Sequence, residues 1–195
     1  MSEHDSTPQG PLVLDEPGWI AHFMAFRPPC RTDEDRMRLA IDLSRENVER
    51  GTGGPFGAAV FEAGGRAPVA VGVNSVVRLR NAMLHAEVMA LMRAEQRVRS
   101  YTLHRHDLPR HELFTSCEPC AMCLGAALWS GVVRIICGAT RDDAEELGFD
   151  EGPVFASSYL YLEERGIEVV TGVLGAEAAD VLRLYRDQGG MVYNG

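Results

Sequence analysis

Two short runs, HAE at His85 to Glu87 and SCEPCAMC at Ser116 to Cys123, constrain this chain more than anything else in it. Cys120 and Cys123 stand three residues apart, directly after Pro119. That order places both sulfurs in the first turn of a helix, where unpaired backbone N–H groups and the helix dipole favour thiolates. A CxxC pair alone is common to redox, structural-metal and catalytic-metal sites. His85 on a second expected helix supplies a third donor, and Glu87, two residues further on, can face the same cavity without coordinating. Catalytic zinc sites use three protein ligands and leave a fourth position to water, whereas structural sites are closed by a fourth ligand. A closed site would have to recruit Cys117, His104, His106 or His111, and would leave Glu87 only the task of complementing a helix dipole.

The rest of the composition narrows the chemistry. All 19 basic residues are arginine. Without lysine, neither a lysine Schiff base nor a phosphate-loop lysine is available. A net charge of −9 works against tight binding to a polyanion and favours a small substrate. No apolar run approaches the roughly 18 residues of a membrane span, and the polar start MSEHDSTPQG has no basic-then-apolar leader, so a cytoplasmic protein without membrane association is expected. The five cysteines, odd in number, read as thiols, with Cys30, Cys117 and Cys137 as small buried hydrophobes.

Residues 1–31, with five prolines and an apolar patch at Trp19, Ile20, Phe23, Met24 and Phe26, read as an arm holding one or two helical turns. Residues 32–195 read as one compact domain. Thr32 or Asp33 caps a helix ending near Gly51. Residues 57–62 and 68–74 form an antiparallel hairpin. A helix over 84–97 carries His85 and Glu87 in its first turn and turns Val88, Leu91 and Met92 inward. Then follow a strand at 112–115, a helix at 119–130, a buried strand at 132–138, a short helix or turn at 142–147, a helix at 155–165, a strand at 167–170 and a last helix at 176–187. This alternation predicts an α/β fold in three layers, with helices on both faces of a mixed sheet of about five strands.

The HAE and PCxxC pair matches the H-x-E…P-C-x-x-C signature of zinc nucleobase deaminases. The chain resembles the cytidine deaminase-like superfamily, and within it the bacterial guanine deaminases. The likeness runs from about Ala40 to Asn194 and is sharpest in GGPFGAAVF (53–61), HAEVMAL (85–91), SCEPCAMCLGAALWSGV (116–132) and GFDEGP (148–153). The resemblance implies one Zn2+ held by His85, Cys120 and Cys123, with Glu87 shuttling a proton between water and the departing amine. It also implies that Asn74 hydrogen-bonds the purine, Phe56 walls or stacks on the ring, the Ala86 backbone touches it, Glu151 holds and protonates the base, and Tyr193 closes the pocket. Dimers are usual among such proteins, sometimes with exchanged C-terminal segments. Two departures are visible: RNAML at 80–84 replaces an Asp-Pro-Thr-like loop, and Ala121 stands where proline is common.

Guanine offers N1–H and a 2-amino group as donors, so a pocket that reads it needs buried acceptors. Six carboxylates lie within residues 142–151, and Glu151 is the one placed to turn inward. The expected reaction is conversion of guanine and water to xanthine and ammonia. Alternatives are guanosine, cytosine or an amino-triazine as substrate, a tRNA adenosine deaminase using the five arginines and three histidines of residues 93–111, or a zinc-stabilised binding module without catalysis. Gly189 and Gly190 before Met191, Val192 and Tyr193 suit a hinged lid.

Overall fold

The computed structural model describes residues 13–194. Residues 1–12 of the expected arm and the terminal Gly195 lie outside the described residues. The order of elements is α1 (Trp19–Ala25), α2 (Asp33–Glu49), β1 (Gly57–Glu62), β2 (Pro68–Val73), α3 (Val76–Leu79), α4 (Ala86–Val98), β3 (His111–Cys117), α5 (Ala121–Ser130), β4 (Arg134–Ala139), α6 (Arg141–Glu145), α7 (Ala156–Glu164), β5 (Glu168–Val170) and α8 (Gly175–Asp187). The described part of the arm is docked: Ile20 is buried, Trp19 Nε1 donates to Thr52 Oγ1, and Arg93 pairs with Glu16.

The five strands form one sheet in the order β2-β1-β3-β4-β5. The hairpin β1–β2 and the pair β1–β3 are antiparallel, while β3–β4 and β4–β5 are parallel. This is the expected mixed sheet. Because side chains alternate along a strand, Ala59 and Phe61 of β1 join α2 and α8 in one core, whereas Ala58 and Val60 join α4, α5 and α7 in the other. The three layers follow from that alternation.

Helix α2 starts as the sequence suggests. Thr32 accepts from the Asp35 N–H, and Asp35 accepts from the Thr32 N–H in return. Helix α4 corrects one expectation. Met92 is exposed, and the inward face is carried by Ala86, Met89, Ala90, Leu91 and Ala94. Alanines every four residues let the helix lie directly on β2. At Gly72 even a Cβ would come within 2.3 Å of the Ala86 carbonyl oxygen.

The end of β2, the start of β1 and the carboxyl ends of β3 and β4 share one edge of the sheet: Gly57 pairs with Val73, Ala58 with Thr115, and Cys117 with Ala139. Loops at the carboxyl ends of parallel strands are where α/β sheets bind ligands. The opposite edge is closed by charge. Buried Glu112 receives Arg36 at 3.0 Å and Arg134 at 3.1 Å, and Arg134 also reaches Asp33 and Glu168.

Candidate active site

His85 and Cys120 occupy equivalent places. Each is the N-cap of its helix, α4 or α5, with extended backbone, and neither gives its own helix a side-chain cap. Their side chains are free to meet across the gap: His85 Nδ1 lies 3.5 Å from Cys120 Sγ. Cys123, one turn into α5, completes the group, and one donor atom from each residue lies within 4.8 Å of the others. Zinc bonds of about 2.0–2.3 Å in a tetrahedron put donors roughly 3.5–3.8 Å apart, so this set fits the ion.

The electrostatics of the donors agrees. A hydrogen bond from the Cys123 thiol, opposed by burial and aided by His85, holds Cys120 down to about 4, and the same bond with burial pushes Cys123 well up. Cys120 is thereby favoured as a thiolate. Burial works against a charged His85, but the Cys120 hydrogen bond and the Glu87 charge raise it overall. No other His, Cys, Asp or Glu among the described residues joins the group. Cys117 instead faces the Thr140 carbonyl oxygen, with burial raising its thiol well up. His104 and His106 are exposed, and His111 begins β3 at the far edge of the sheet.

Glu87 is 6% exposed and accepts from the Thr115 hydroxyl at 3.2 Å. Burial, then the nearby Cys120 charge, push its carboxyl up. Glu151 is likewise buried, and burial with the charges of Cys120 and Glu87 raises it to about 8. Two buried carboxyl groups therefore share one cavity of about 390 Å3 with His85, Cys120, Phe56 and Tyr193. A larger cavity of about 820 Å3, beneath α1 and β2, contains none of these groups.

Asn74 and Ala86 are fully buried beside the cavity and are not part of its lining. Asn74 Oδ1 accepts from the Val76 N–H, which leaves Nδ2 as a buried donor without a partner. The Tyr193 hydroxyl is also buried and unpaired. Sequence reasoning missed Val76, Ala82, Met122, Phe149 and Asn194, all of which line the cavity. Met122 carried a signal as part of the SCEPCAMC run, and Phe149 as the aromatic residue of the GFDEGP run. Its ring meets Phe56 at 5.1 Å and Tyr193 at 5.2 Å, both edge-on. The C-terminal tail lies over the chain's own cavity through Tyr193 and Asn194.

The family model described as the cytidine and deoxycytidylate deaminase zinc-binding region matches residues 30–139. The chain belongs to this deaminase family. The deaminase is 37% identical to guanine deaminase of Bacillus subtilis, over 69% of this chain and 81% of that one. Its fold superposes on a guanine deaminase from Nitrosomonas europaea with a TM-score of 0.86 at 40% identity, covering 91% of this chain and 97% of the other. An equally similar structure, with a TM-score of 0.86, 40% identity and coverage of 91% and 98%, is a variant in complex with 8-azaguanine. The protein is a zinc-dependent aminohydrolase, with one Zn2+ per chain.

Proposed function

We propose that this deaminase converts guanine and water to xanthine and ammonia. One observation carries the reading: two of the three metal donors, His85 and Cys120, and two buried carboxyl groups, Glu87 and Glu151, open into a single aromatic-walled cavity, with Cys123 buried directly behind Cys120. His85, Cys120 and Cys123 hold the zinc. When bound there, zinc acts as a Lewis acid and lowers the pKa of water from about 15.7 to about 7.

The purine lies against Phe56, with Phe149 and Tyr193 enclosing the same space. Glu151, buried in the same cavity, takes up the donor edge of the base, N1–H and the 2-amino group. The spare Asn74 Nδ2, buried beside the cavity, supplies a donor for an acceptor on the base, and the Ala86 backbone is the further contact this reading gives the ring. Thr115 holds one oxygen of Glu87, leaving the other to take a proton from water and deliver it to the 2-amino nitrogen. A C2–O bond forms, the C2–N bond breaks, and ammonia leaves.

The enzyme is read as a cytoplasmic homodimer acting on a free base, without nucleic-acid or membrane partners. Met92 on α4, Trp129 on α5 and Leu160 and Tyr161 on α7 are exposed apolar groups on one helical layer, which supports self-association. Within the arginine-rich segment, Arg93 and Arg105 are already ion-paired and His111 is buried, which argues against a strip for phosphates. No helix among the described residues is long and apolar enough to cross a membrane. Ammonia release assayed on guanine, guanosine, adenine, cytosine, cytidine, an amino-triazine and an RNA stem-loop tests the reading. Guanine should be turned over fastest and with little dependence on salt; preference for the stem-loop would overturn it. Sedimentation of the purified protein tests the dimer.

A further inference from the structure

The geometry points to Asn194 as a positioning residue, a two-point latch that ties the C-terminal tail to the segment carrying Glu151. This rests on the guanine reading given above. Asn194 Oδ1 accepts from the Asp150 N–H at 2.9 Å, and Asn194 Nδ2 donates to the Gly148 carbonyl oxygen at 2.9 Å. One short amide therefore satisfies a donor and an acceptor two residues apart on the loop that leads directly into Glu151. A primary amide, with its oxygen and its NH2 group side by side, can do both at once.

The latch is fixed at its other side as well. The Gly190 N–H donates to the Tyr185 carbonyl oxygen, and the Tyr185 hydroxyl donates to the Met191 carbonyl oxygen at 2.7 Å, so the tail leaves α8 in a set direction. Tyr193 then lies edge-on to Phe149 and against Gly54, where an added Cβ would come within 2.0 Å of the tyrosine hydroxyl. Tail and loop thus close the cavity as one unit. With the latch open, Tyr193 loses its seat and the Glu151 carboxyl its fixed approach to the base. Saturating guanine still draws the two together, so the loss falls on binding.

The test compares zinc-loaded wild type, Asn194→Ala, Asn194→Asp and Gly54→Ala by steady-state kinetics on guanine, zinc content and amide hydrogen exchange. Asn194→Ala should raise KM about tenfold with kcat nearly unchanged, the cost of two ordinary hydrogen bonds. Exchange at Asp150 should quicken while zinc stays at one per chain. Asn194→Asp keeps the acceptor for Asp150 and should recover part of the loss. Gly54→Ala, which pushes on Tyr193 and leaves the latch residue intact, should also quicken exchange at Asp150. An unchanged KM in Asn194→Ala overturns the proposal whatever the exchange shows, and so does a fall confined to kcat, which marks loss of folded enzyme. If wild type releases no ammonia from guanine, the functional reading fails instead, and exchange at Asp150 in the variants alone decides whether the latch exists.

Discussion

The main-chain N–H of Ala121, the first residue of α5, donates to the carbonyl oxygen of Glu151 at 2.9 Å. The helix that presents both thiols thereby also anchors the second carboxyl group of the cavity. Proline is well tolerated at a first helical position, and the extended Cys120 before it suits a proline successor. Ala121→Pro therefore deletes this one donor with little else disturbed. It should lower kcat/KM for guanine by about 2- to 10-fold at unchanged zinc content, as read by steady-state kinetics and metal analysis.

Glu87 should separate chemistry from metal binding. Glu87→Gln keeps the volume and an acceptor for Thr115 but cannot carry a proton between water and the amine. Ammonia release should fall by about 10²- to 10⁴-fold. Zinc should remain stoichiometric, as measured by atomic absorption, because His85, Cys120 and Cys123 are untouched.

Glu151 makes metal-free stability depend on pH. Burial pushes its folded pKa up to about 8, above the ordinary carboxyl value of about 4.5, so the folded state favours the protonated form. The unfolded chain releases that proton first. Stability from this group is fully present below about 4.5 and is lost as pH rises towards 8. His85, Glu87 and Cys120 face it and titrate too, so the measurement is a difference. Metal-free Glu151→Gln should be no more stable than wild type near pH 4.5 and should gain on it progressively up to about pH 8. Denaturant titrations across that range check the slope, and a flat difference would contradict it.

At the far edge of the sheet, Glu112 is a structural charge. Removing it leaves Arg36, whose side chain is 7% exposed, with Asp33 at 3.2 Å as its one remaining carboxylate beside the Gly65 carbonyl oxygen at 2.9 Å. Glu112→Gln should destabilise by about 3 kcal/mol, or roughly 6–12 °C in Tm for a chain of this size. Replacing the pair together, Arg36→Met with Glu112→Leu, should recover most of it. Zinc content and KM should not move in either protein.

What could be read in the sequence was what is local. His85 with Glu87, and Cys120 with Cys123, are fixed by spacing on single helices, and Thr32 shows its cap three residues ahead of Asp35. Helix α3 lies between the strand expected to end at residue 74 and the helix expected from 84, and four residues carry no readable period; the chain turns there when Asn74 Oδ1 takes the Val76 N–H. The inward face of α4 was misassigned at Met92 because the larger side chain looked like the better core residue. Close approach to Gly72 instead favours the alanines. Asn194, 45 residues beyond Phe149, meets the site only through tertiary packing, which no local pattern encodes.

Helices α4 and α5 both begin on a residue that gives no side-chain cap, unlike α2 with its reciprocal Thr32–Asp35 bonds. Metal loading therefore staples two helix starts to each other. The ion ties the two uncapped starts together through His85 and Cys120, so fraying of either first turn and loss of the metal become a single event. Chelation should thus loosen the opening turns of α4 and α5 together, carrying Glu87 with them, while the capped α2 keeps its own start.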